Sequence, residues 1–134
     1  MSGRSTYVAS AQAAWFKGTA MPTPPSAVYA SFFNGDPTDA GTGGTEITGQ
    51  IRAAGRVAVT FGTFANKQMT DSAQVNFGNS ASSSNLTVSH YALWDSATVG
   101  SGNLLDSAAI TGGPITIASG SNVYIAAGAL TLNF

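Results

Sequence analysis

From Ala27 to the C-terminus, apolar and β-branched residues arrive in short runs, and each run breaks off in Gly, Ser, Asn or Pro. Alternation with a period of two over four to eight residues is the mark of a half-buried strand. The runs are Ala27–Phe33, Val57–Phe61, Ala73–Phe77, Leu86–Asp95, Leu104–Ile110, Ile115–Ala118, Asn122–Ala126 and Leu130–Phe134. In the longest, Leu86, Val88, His90, Ala92 and Trp94 fall on one face, and Thr87, Ser89, Tyr91 and Leu93 on the other. Strands spaced by roughly ten residues and separated by Gly/Ser turns argue against βαβ units. They predict an all-β fold, an antiparallel β-sandwich or jelly-roll-like domain. Residues 34–50 (NGDPTDAGTGGTEITGQ) read as turn chemistry almost throughout. A loop of that length marks a functional or mobile segment.

The N-terminal part follows other rules. Residues 5–17 (STYVASAQAAWFK) are the one helical candidate, capped by Ser5 or Thr6 and stopped by Gly18. Val8, Ala11 and Trp15, with Tyr7 and Ala14, would share a face; an extended arm is the other reading. Pro22, Pro24 and Pro25 exclude helix and interior strand from residues 19–26, which act as a semi-rigid connector. The expected organisation is a short N-terminal helix or arm with its connector, 1–26, and a single β-sandwich domain, 27–134. Ser10, Gln12 and Lys17 interrupt what would otherwise resemble a secretory leader.

Charge is scarce. Five Lys and Arg and six Asp and Glu make up 8% of the chain, against about 25% in an average soluble domain. A net charge of −1 offers no basic surface for nucleic acid and no polybasic patch for a membrane. No apolar run reaches the roughly 18 residues of a membrane span. With no cysteine there are no disulfides, thiolate sites or cysteine nucleophiles. Beyond Leu86 only Asp95 and Asp106 are charged. Edge strands are usually guarded by Lys, Glu or Pro. Their absence points to edges covered by neighbours in an oligomer or larger assembly.

Few residues suggest chemistry. His90 is the one histidine, no Gly-x-Ser-x-Gly elbow is present, and a mid-strand position favours a structural role. Asp36, Asp39 and Glu46 sit on a Gly-rich loop able to offer oxygen ligands to Ca²⁺, but their spacing matches no EF-hand. Gly41–Gly44 lacks the lysine of a phosphate loop. Asn85-Leu86-Thr87 forms a sequon. No catalytic, cofactor-binding or metal-binding residue is assigned. The candidates for partner binding are Arg52 and Arg56, whose forks suit a carboxylate on a neighbouring subunit, and Trp15, Phe16, Pro22, Pro24 and Pro25, an aromatic pair before a proline arm.

The segments AVYASFFNGDPTDAGTGGTEI, VAVTF, VNFGN, VSHYALWDSATVGSGNLLDSAAI and GSNVYIAAGALTLNF, in that order, resemble a family of small tailed-phage virion proteins. The resemblance covers roughly residues 20–134. It departs at Gln50-Ile51-Arg52 and Ala53-Ala54-Gly55, where the family pattern has a tyrosine-arginine pair entering the next strand. The resemblance implies a virion structural role and carries over no functional residue. The leading expectation is a capsid decoration (cement) protein, a homotrimer bridging major capsid subunits on a virion assembled in the bacterial cytoplasm. The alternative is a tail-fibre, tail-tip or host-adhesion module.

Overall fold

The computed structural model describes residues 3–47 and 55–134. Its elements, in chain order, are β1 (Gly3–Arg4), α1 (Thr6–Phe16), β2 (Val28–Asn34), β3 (Thr45–Ile47), β4 (Val57–Val59), β5 (Gln68–Thr70), β6 (Val75–Asn79), β7 (Leu86–Val88), β8 (His90–Trp94), β9 (Leu104–Ala109), β10 (Ile115–Ile117), β11 (Asn122–Ile125) and β12 (Thr131–Asn133). The fold is all-β and antiparallel with one short helix, as the alternation predicts.

The main sheet runs β1-β9-β8-β2-β3. One edge of β2 is shared: its first half pairs with β4 and its second half with β3. Three two-stranded ribbons, β10–β7, β11–β6 and β12–β5, form the opposing layer. Period two decides which side chains meet. Ala30 and Phe32 of β2 and Leu93 of β8 pack against Val75, Phe77, Val88, Ile117, Val123, Leu130 and Leu132 from the ribbons and their turns. Phe33, one residue on, faces the other way and joins Ala92, Trp94 and Leu104 in a second cluster. Phe77, at 1% exposure, tilts against Phe32 with ring centroids 4.6 Å apart. Burying a ring of this size stabilises the fold by about 2–3 kcal/mol.

The run Leu86–Asp95 is not one strand. Ser89 interrupts it: its N–H donates to the Phe33 carbonyl, and its own carbonyl accepts from the Ile110 N–H. The chain thereby leaves β10 for β2 and β9. The single-face grouping expected for it fails for the same reason. Val88 enters the main core with Leu93, whereas Ala92 and Trp94 line the second cluster.

Three strands differ from the sequence expectation. Thr45–Ile47, within the stretch read as loop, is held as β3 by Phe32–Asn34. Gln68–Thr70 is held as β5 by the C-terminal strand. It follows a tight turn in which Asn66 and Lys67 both take positive φ, 52° and 60°. That conformation matches the twist of paired strands. Gly3 and Arg4 add an edge strand to β9, so these two residues belong to the sheet and not to the arm.

Helix α1 starts and stops where predicted. The Ser5 hydroxyl accepts the Val8 N–H, and the chain turns out of the helix at Gly18, φ 91°. The predicted apolar face is only partly covered, however: Val8, Ala11 and Ala14 are half-buried, and no residue of α1 is fully buried. Trp15 is 58% and Phe16 82% exposed.

Candidate functional site

One end of the main sheet carries a cleft of about 560 Å³, walled by residues of α1, the 39–46 segment and the 100–104 turn. Arg56 organises it. The side chain is buried, and its Nε and Nη2 donate to Glu46 Oε1 and Oε2 at 2.7 and 3.2 Å. Its Nη1 donates to the carbonyls of Ser96, Thr98 and Ser101 at 3.0, 2.9 and 2.9 Å. The guanidinium also lies 4.0 Å from the Trp94 ring centroid. A planar fork with five donors can do all this at once, which a lysine cannot. Arg56 thus ties the 96–101 turn to β3 and shapes the cleft wall.

Trp94 forms the floor. It stacks on Phe33 at 6.3 Å, and its Nε1 donates to the Ser31 hydroxyl at 3.0 Å. Gly41 packs so closely that a Cβ there would sit 3.2 Å from Trp94 and Leu104. Gly43 and Gly44 cross the Asn34–Pro37 backbone, and a Cβ on either would fall 2.6–2.7 Å from a carbonyl oxygen. The glycines of this loop serve close chain crossing.

The loop acids do not converge on one point. Glu46 is taken by Arg56, and Asp36 Oδ1 accepts the Thr38 N–H. No group of three His, Asp or Glu side chains among the described residues is placed to hold a metal ion. Arg56, expected to reach a neighbouring subunit, spends its donors within the chain. Burial beside Glu46 is the physical reason. Arg52 lies outside the described residues. Pro22, Pro24 and Pro25 are exposed, as are Trp15 and Phe16. Sequence reasoning missed Glu46 as the partner of Arg56 and Trp94 as its platform. The signal available was an arginine and a glutamate in a stretch otherwise nearly free of charge.

A model of the family described as podophage GP4 fiber I protein gp80 matches residues 3–133. The chain belongs to this family of tailed-phage virion proteins. No curated protein sequence matches it.

In this fibre-family protein several other polar side chains bind within the chain. His90 Nδ1 meets the neighbouring Ser89 hydroxyl at 2.9 Å, and that hydroxyl also accepts the Gly35 N–H. Burial holds its pKa below the ordinary histidine value. Arg4 binds Asp106 at 2.8 Å, donates to the Asn133 carbonyl and lies 4.3 Å from the Phe134 ring centroid, joining the two ends of the described chain. Burial raises the Asp106 pKa, and the pull of Arg4 in the opposite direction is the smaller effect. Buried Asp71 accepts the Leu130 N–H through Oδ1 at 2.8 Å, while its Oδ2 has no partner. None of the described helices is long and apolar enough to cross a membrane.

Proposed function

We propose that this chain is a non-enzymatic structural subunit of a tailed-phage fibre, making its contacts with other virion proteins. The family match over residues 3–133 carries the reading. The geometry supports it: the paired charges Arg56–Glu46 and Arg4–Asp106 are spent on tying loops and termini to the sheet. The scaffold so formed presents exposed aromatics outward. Capsid decoration is the second reading. It is favoured by the exposed aromatic pair at the end of α1, just before the proline connector, which suits repeated docking on a shell of major capsid subunits.

Immunogold labelling of purified virions, with copy number from gel densitometry, tests the proposal. Label on the fibres at low copy number supports it. Label over the head surface, with copies in the hundreds, would replace it with decoration.

A further inference from the structure

We propose that α1 and the proline connector form a self-association surface whose occupant is a second copy of this chain. The inference does not rest on the fibre reading, and it stands or falls separately from the labelling experiment.

Four observations carry it. The first is the helix. Eleven residues without a charge or a buried side chain are too few to be stable in water on propensity alone. The second is exposure. Tyr7, Met21, Trp15 and Phe16, all large and apolar, lie on this face and are between 37% and 82% exposed.

The third is shape. Trp15 and Phe16 pack edge to face at 5.4 Å and project as one knob. On the same side, Val8 and Ala11 of α1 face Met21, Pro22 and Pro24 across an apolar groove of about 250 Å³. Ala11 and Trp15 are four residues apart and so share a helix face. Knob and groove are therefore neighbours on one surface, and two copies can each seat the other's knob.

The fourth is charge. Lys17 follows the knob, and Asp95 lines the groove. Neither has an ion-pair partner among the described residues. Among the described residues the Asp95 oxygens accept from Asn103 alone, at 2.6 and 2.9 Å. Docking the knob of one copy in the groove of another brings the cation to the carboxylate.

Light scattering after size exclusion at about 100 μM, well above the micromolar range of weak specific pairs, reads the mass. The expected result is a multiple of 13.5 kDa. Reciprocal seating gives a dimer, and head-to-tail seating around a ring gives the trimer expected from the sequence. A lone 13.5 kDa species overturns the inference. The Trp15→Ser, Phe16→Ser double variant is expected to lose association with an unchanged far-ultraviolet spectrum; retained association overturns it.

Should that variant misfold, cysteine pairing decides, because the chain has no cysteine of its own. Phe16→Cys mixed with Pro24→Cys should form a mixed disulfide dimer roughly tenfold faster than either variant alone, through the raised effective concentration. Equal rates overturn the inference. Lys17→Glu is expected to weaken association by about two- to fivefold in low salt, since an exposed pair is screened. An unchanged affinity in low salt overturns the docking that places Lys17 of one copy beside Asp95 of the other.

Discussion

Replacing Arg56 with alanine is the sharpest perturbation of this fold. The substitution removes two hydrogen bonds to Glu46, three to the carbonyls of the 96–101 turn, and the charge over Trp94. Breaking a buried ion pair from one side costs about 3–5 kcal/mol, because the remaining charge stays buried and unmatched. The Glu46 side chain keeps 13% exposure and borders the cleft, so water reaches it and the lower end applies. A loss of about 3 kcal/mol is expected, a large part of a total stability of roughly 5–15 kcal/mol. For a chain of this size that lowers Tm by about 10 °C. Urea unfolding followed by tryptophan fluorescence measures it, since Trp94 reports directly on the site. Arg56→Lys is expected to recover less than half of the loss: an ammonium keeps the charge but cannot span both Glu46 and the turn. A loss below about 1 kcal/mol for Arg56→Ala, or full recovery with lysine, would refute the assignment of Arg56 as the tie between β3 and the turn.

Three other outcomes follow from the same physics. Asp71→Ala leaves the buried Leu130 N–H without its side-chain acceptor and is expected to cost about 1–2 kcal/mol in urea unfolding, whereas Asp71→Asn keeps the acceptor and loses less. Gly43→Ala puts a methyl 2.6 Å from the Asp36 carbonyl oxygen and 2.8 Å from the Thr38 side chain; a loss of about 1–3 kcal/mol is expected from thermal melts. For Asp106 the folded pKa lies above the unfolded one, so between the two values the folded state holds more protons than the unfolded state. Its contribution to stability therefore rises as pH falls from 7 toward the ordinary carboxylate range. Unfolding at pH 7 and near pH 4.5 should show wild type gaining relative to Asp106→Asn, and a relative loss would contradict the burial of this carboxyl.

The sequence alone determined what depends on neighbours along the chain. Alternation marked most strands, because successive side chains on a strand point to opposite faces whatever lies beyond them. Ser5 and Gly18 delimited α1, because capping and the left-handed exit are settled within one turn. The order of its segments carried the family resemblance that the match over residues 3–133 shows to be right. What depends on distant partners was decided only in three dimensions. Thr45–Ile47 and Gln68–Thr70 are too short to be strands by their own preference and are held by partners supplied elsewhere in the chain. The sheet change at Ser89 follows from acceptors and donors at Phe33 and Ile110, far away in sequence. Arg56 looked like a partner-facing side chain, since a charge shows its environment only when the fold brings Glu46, three turn carbonyls and the Trp94 ring around it. Local stereochemistry is encoded residue by residue, whereas burial and pairing exist only between segments the fold has joined.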